Sequence, residues 1–217
     1  MKEMSVLFLG KDGDKNCIEA AQFCQDNFSN VSVFLGKWGD SFPVDWGNWS
    51  YIISYLSRWI VPNPIIQMAR IAAINFHPAS PDYPGIGCNN FALYEGASQY
   101  GATCHHMAPS VDTGEIIAVR RFPVFQTDNV DSLLQRTYAH QLVLFYEIVQ
   151  SILEGKELPK STETWTRKPF TRRELNELSK ITAGMEKEEI ARRIRATHFG
   201  GWKPTVELQG FTFEFRD

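Results

Sequence analysis

Short apolar runs alternate with helically spaced segments over the first part of the chain. "SVLFLG" (5–10), "VSVFLG" (31–36), "YIISYL" (51–56) and "AAINFH" (72–77) each read as a buried strand. "CIEAAQFCQDNF" (17–28) has helical spacing, with Ile18, Ala21, Phe23 and Cys24 on one side. "PNPIIQMARIA" (62–72) opens with prolines, which the first turn of a helix tolerates. The stretch 37–50, rich in Trp, Gly and Asp, reads as an irregular loop. Strands alternating with short helices predict a parallel, doubly wound α/β sheet.

Farther along, "CNNFALYEG" (88–96) reads as a short helix stopped by Gly96. "GATCHHMA" and "EIIAVRRFPV" read as two strands joined by "PSVDTG". The longest helix is predicted from Val130 to Leu153. Its apolar positions Leu133, Leu134, Tyr138, Leu142, Phe145, Ile148, Val149 and Ile152 keep three- and four-residue steps, so it should lie along the sheet. From residue 156 the composition turns polar, and "KELPKSTETWTRKPFTRREL" (156–175) is expected to be extended. "EKEEIARRIRAT" (186–197) reads as a charged helix, and "TVELQGFTFEF" (205–215) as a hairpin around Gln209–Gly210. The hairpin's apolar face needs cover from the main domain or a second subunit. We divide the chain at 155/156, into a main domain (1–155) and a short C-terminal extension (156–217).

Composition adds few constraints. Of 217 residues, 43% are hydrophobic and 22% charged, as in ordinary soluble domains. A net charge of -3 provides no global field for nucleic acid or anionic membrane. The arginines 192, 193 and 195 follow acidic residues and read as a solvated helix face. No signal-peptide pattern or membrane-length apolar run is present, and the four cysteines form no CxxC pair, which predicts reduced thiols and a cytoplasmic location.

The candidate chemistry begins in "INFHPASPDYPGIGCNN" (74–90). Residues two apart on a strand share a face, so Asn75 and His77 form a pair at a strand's carboxyl end, where doubly wound sheets bind ligands. Asp112 lies in the turn "VDTG", where an aspartate commonly bonds its own backbone. Cys104 and His106 share a face and suggest a zinc site, but their spacing matches no strong zinc pattern. The glycine-rich dinucleotide fingerprint, the phosphate-loop lysine motif and the serine nucleophile elbow are absent.

The ordered set "AINFHPASPDYPGIG" and "YGATCHHMAPSVDTGEIIAVRRFPV" resembles the formyltransferases that use 10-formyltetrahydrofolate. The shared pattern is Asn75, His77 and Pro78, then Gly101, Thr103 and His105, then Asp112, Thr113 and Gly114. Within that family the sequence is most similar to N-formyltransferases of nucleotide-linked amino sugars, the dTDP-4-amino-4,6-dideoxyhexose type. Its loop "PASPDYPGIG" departs from the Ser-Leu-Leu-Pro loop of the relatives acting on tRNA or glycinamide ribonucleotide. The resemblance implies a Rossmann-like, mostly parallel twisted sheet flanked by helices, with a small C-terminal helix and β-hairpin.

It further implies transfer of a formyl group to a primary amine. Asn75 would stabilise the oxyanion, His77 would act as base, and Asp112 would orient His77 or hold the relaying group. The folate would lie against "LSRWIVP", giving Arg58, Trp59, Ile60 and Val61 as cofactor contacts. The sugar nucleotide would lie near Tyr83, Gly85 and Asn90, with Lys11 and Arg121 as candidates for its diphosphate. No metal is expected. A homodimer through the C-terminal hairpin is implied, and other amine acceptors, formylfolate hydrolysis or non-catalytic binding remain as alternatives.

Overall fold

The computed structural model describes residues 4–43 and 47–216. Residues 44–46, part of the loop expected over 37–50, lie outside them. The strands are β1 (Ser5–Lys11), β2 (Asn30–Gly36), β3 (Tyr51–Tyr55), β4 (Ala72–His77), β5 (Gln99–His106) and β6 (Ile116–Pro123). They form one sheet in the order β2-β1-β3-β4-β5-β6. The first four are parallel, and β5 and β6 run antiparallel beside them.

Helices α1 (Lys15–Asn27) and α4 (Val130–Leu153) bury against the sheet face that carries Phe8, Ile53, Ile74, Phe76 and Cys104. The α4 boundaries agree with the periodicity. Asn129 and Ser132 form a reciprocal capping box that satisfies orphan N–H groups at the helix start. The α1 stripe differs from expectation: Cys17, Ala20, Ala21 and Cys24 are buried, while Ile18 is exposed. Small residues let this helix sit close to β1, and the bulkier Ile18 turns outward.

On the opposite face, Leu7, Leu9, Ile52 and Ala73 pack with Trp49 and Ile65. Ile65 comes from α2 (Asn63–Ile66), which is a single turn rather than the longer helix expected. The chain leaves the helix because Arg70 and Ile71 donate backbone bonds to Trp49 and Ser50, which feeds it into β4.

Helix α3 (Cys88–Glu95) ends on Gly96 in the left-handed region, as its sequence predicted. The C-terminal part contains α5 (Arg172–Leu178), β7 (Lys180–Ile181), α6 (Lys187–Thr197), β8 (Thr205–Leu208) and β9 (Phe211–Glu214). The helix α5 was not expected. Its start is the capping box Thr171–Glu174, a readable signal inside a stretch too polar to show periodicity. Strand β7 makes the hairpin a three-stranded sheet, β7-β8-β9. The hairpin turn is as predicted, with positive φ at Gln209 and Gly210.

This C-terminal part is packed onto the rest. Phe170, Leu175, Leu178 and Ala196 share a core with Tyr83, Phe91, Leu93 and Tyr100. Phe170 stacks on Phe91 at a centroid separation of 3.6 Å. No helix among the described residues is long and apolar enough to cross a membrane.

Candidate active site

Strand alternation sends Ile74 and Phe76 into the α4-side core, so Asn75 and His77 point away from it. The antiparallel register then sets Asn75 opposite His105 and His77 opposite Thr103. These four side chains share one face across two strands. Thr103 donates its hydroxyl to the Ala79 carbonyl at 2.6 Å, which fixes the start of the proline/glycine loop beside β4.

Asp112 joins them from the β5–β6 connection. Its φ of 48° lies in the left-handed region, which aspartate tolerates better than most residues. Gly114, two residues on, approaches so closely that a Cβ there would stand 1.8 Å from the His106 carbonyl. The turn can therefore fold against β5 only with glycine at this position. One carboxylate oxygen lies 3.3 Å from His77 Nδ1, and the other lies 3.3 Å from His105 Nε2. The Gly85 N–H donates to Asp112 Oδ2 at 2.8 Å. Burial raises the Asp112 pKa, but the imidazoles of His77 and His105 in their protonated form, together with the Gly85 N–H, override it and hold the carboxyl at about 2.

The histidine hydrogen bonds follow from donor accounting. His77 Nε2 lies 3.0 Å from the Tyr83 carbonyl, which can only accept, so Nε2 carries the proton. That leaves Nδ1, facing Asp112, as the nitrogen able to gain or lose one. His105 Nδ1 likewise donates to the His106 carbonyl at 2.8 Å. Its Nε2 lies 3.0 Å from Asn75 Nδ2. An amide carries two N–H groups, so Asn75 has a second donor for a ligand after His105 takes the first. His77, His105 and Asp112 are buried, whereas Asn75 is half-buried and is the most accessible of the four.

Of the acceptor-side candidates, Tyr83 and Gly85 are brought to this cluster, both through their backbones. The Tyr83 ring packs beside Tyr100 and Phe170 in the core. Gly85 has φ 92° and bridges to Phe170, whose carbonyl oxygen a Cβ would meet at 2.4 Å. The other candidates are engaged with partners outside the His77–His105–Asp112 cluster. Asn90 donates to the Ala196 carbonyl at 2.6 Å, tying α3 to α6. Lys11 pairs with Asp14 at 3.1 Å and lies over the Tyr138 ring. Arg121 is held between Asp82 and Glu163, at 2.8 and 2.5 Å.

The segment 56–62 leaves the carboxyl end of β3. Leu56 has φ 53°, a strained conformation for a bulky residue, and it turns the chain sharply out of the sheet. Trp59 donates its indole N–H to the Asp40 carbonyl at 3.0 Å and packs at Gly36, where a Cβ would stand 2.1 Å from its ring. Val61 packs with the same cluster. Arg58 and Ile60 are exposed, Ile60 to 74%. An apolar side chain displayed at the ligand-binding edge of such a sheet is a ready contact for a flat ligand. Cys104 faces the opposite, α4-side core, where burial raises its thiol well above the ordinary range. Among the described residues no group of His, Cys, Asp and Glu side chains is arranged to hold a metal ion.

Two residues touching the cluster were not assigned a role from sequence. His105 appeared only as a member of a motif. Trp165 stands edge-on to both imidazoles, with centroids 5.9 Å from His77 and 5.0 Å from His105. Its only sequence signal is a lone large aromatic in a polar run.

Residues 51–149 match the profile of the formyl transferase family. A GDP-perosamine N-formyltransferase of Brucella melitensis is 28% identical over 156 residues, which is 71% of this chain. The chain spans 59% of that protein's length. Among solved structures, a 4-N formyltransferase from Francisella tularensis superposes with a TM-score of 0.80 at 18% identity, covering 98% of this chain and 97% of the other. An N-formyltransferase from Helicobacter canadensis, solved with folinic acid and dTDP-3-aminofucose, has a TM-score of 0.74 at 19% identity, covering 95% and 85%. At these identities the two structures establish a shared fold.

Proposed function

We propose that the protein moves the formyl group of 10-formyltetrahydrofolate to the primary amine of a nucleotide-linked amino sugar, a reading supported by the match of residues 51–149 to the formyl transferase family. The observation carrying this reading is the cluster of Asn75, His77, His105 and Asp112 around one carboxylate at the carboxyl edge of β4. The amine nitrogen attacks the formyl carbon and gives a tetrahedral oxyanion. The free N–H of Asn75 donates to that oxygen, a contact worth about 3 kcal/mol of barrier in comparable acyl transfers. The amine's proton passes to the Asp112–His77 pair, with Nδ1 as the accepting nitrogen. Collapse of the intermediate breaks the bond to the folate nitrogen, which takes up a proton.

Arg58, Trp59, Ile60 and Val61 form the folate side, supported by the strained exit of the chain at Leu56 and the exposure of Ile60. The Tyr83–Gly85 backbone lies on the acceptor side. Asn90 and Lys11 remain candidates for the sugar nucleotide only if binding releases them from Ala196 and Asp14. The acceptor is a dTDP-4-amino-4,6-dideoxyhexose, a reading supported by the "PASPDYPGIG" loop, and the product serves surface-polysaccharide synthesis in the cytoplasm. Two copies pair through the hairpin, where Leu208, Phe211 and Phe213 are exposed. The test is incubation with 10-formyltetrahydrofolate and separate amine acceptors, followed by mass analysis. Formylation of the dTDP-linked 4-amino sugar is expected, whereas formate release regardless of acceptor would sink the transferase reading in favour of a hydrolase.

A further inference from the structure

Trp165 belongs to none of the sequence motifs, yet one side chain joins three parts of the site. Its ring lies at 88° to that of His105 and at 68° to that of His77. Its indole N–H donates to the Gly114 carbonyl at 2.7 Å, two residues beyond Asp112. The segment carrying it is fastened on both sides of the cluster. Ser161 donates to Ile116 on β6 at 3.1 Å, Thr166 to Pro81 at 3.3 Å, and Phe170 to Pro84 at 2.9 Å. Arg121 adds a side-chain tie by holding Glu163 and Asp82 together. The segment thus spans from β6 to the proline/glycine loop, and Trp165 is the residue by which it meets the two imidazoles.

We propose that Trp165 is a positioning residue. It sets the ring planes of His77 and His105 against Asp112 and keeps water away from the cluster, so that an amine rather than water takes the formyl group. The proposal rests on the formyl-transfer reading. Water is the competing nucleophile and far outnumbers any amine. If it attacks, its oxygen bonds to the formyl carbon, the carbon–nitrogen bond to the folate breaks, and one water proton ends on the folate nitrogen. The second proton leaves with formate. Two imidazoles and a carboxylate at 3–6% side-chain exposure are shielded from this step only while the wall over them stays in place. Aromatic edge contacts also fix the ring planes, which hydrogen bonds at the ring nitrogens leave free to rock.

The test compares full-length wild type, Trp165→Phe and Trp165→Ala by two readouts. The first is formate released per tetrahydrofolate formed, with an amine acceptor present. We expect it to rise about tenfold or more in Trp165→Ala, with kcat for transfer falling and KM for folate little changed. The second is the imidazole N–H signals of His77 and His105 in nitrogen-15 NMR. In wild type they persist, because Nε2 of His77 and Nδ1 of His105 are bonded to carbonyls; in Trp165→Ala they broaden or exchange away. Trp165→Phe keeps a ring but loses the bond to Gly114, so it should fall between, and it serves if Trp165→Ala does not fold. Unchanged formate yield and unchanged imidazole signals in a folded variant overturn the proposal. If wild type formylates no amine, the functional reading fails separately, and the imidazole signals alone decide the role of Trp165.

Discussion

Asn75 and His105 face each other across neighbouring antiparallel strands, with the amide nitrogen 3.0 Å from the imidazole Nε2. The bond orients the carboxamide before any substrate arrives and leaves its second N–H free. Preorganised donors of this kind lower a barrier because they need not reorient as charge develops. Asn75→Ala should therefore reduce kcat about 100- to 1000-fold with little change in thermal stability. A His105→Ala variant that turns over like wild type in the same steady-state assay would show that the orienting bond has no kinetic role.

Gly85 ties the loop to Asp112 and to Phe170 at once. With φ at 92° and the Phe170 carbonyl only 2.4 Å from where a Cβ would sit, alanine there is both strained and obstructed. Gly85→Ala should cost about 1–3 kcal/mol in urea unfolding and lose activity through displacement of the Asp112 contact. Full activity with wild-type stability would contradict the tight approach.

Asp112 predicts a stability change with pH. Its carboxyl is held at about 2 in the folded protein, against an ordinary 3.8. A folded pKa depressed in this way contributes stability that is complete above the unfolded value and lost as pH falls through the folded one. The contribution is about 2 kcal/mol. Between pH 5 and pH 2.5 the wild-type urea midpoint should fall more steeply than that of Asp112→Asn. Parallel slopes would show that the carboxylate is not paired as described.

The exposed apolar face of the C-terminal hairpin predicts self-association. Leu208 pairs directly with Phe211, and Val206 with Phe213, so all four lie on one face. Phe211→Ser with Phe213→Ser should convert a dimer to a monomer in light scattering at micromolar concentration. A wild-type protein already monomeric there would remove the dimer.

The parts of this site differ in how far the sequence revealed them. Asn75 and His77 could be paired from strand alternation alone, because two residues on one strand carry their own geometry. Asp112 lies 35 residues beyond His77 and was linked to it only by family resemblance. The role of His105 depends on the β4–β5 register, which local pattern does not encode. Trp165 is farther still along the chain, in a segment whose polarity reflects its exposed edge and hides its contact with the imidazoles. The long helix α4 was legible because its apolar steps persist for many turns, while α5 has only seven residues and too few apolar positions to show a period. The engaged states of Lys11, Asn90 and Arg121 could not be read either, since a partnered and an unpartnered polar side chain look alike in sequence.

In the proposed function the His77–Asp112 pair drives transfer of a formyl group to a sugar-linked amine. The most direct measurement is the product mass from 10-formyltetrahydrofolate and a dTDP-4-amino-4,6-dideoxyhexose, with wild type and with His77→Asn at equal concentration. A product in which one amine hydrogen is replaced by formyl is expected to accumulate with wild type and to be absent with a folded His77→Asn variant. The same product at a similar rate from both proteins would contradict it.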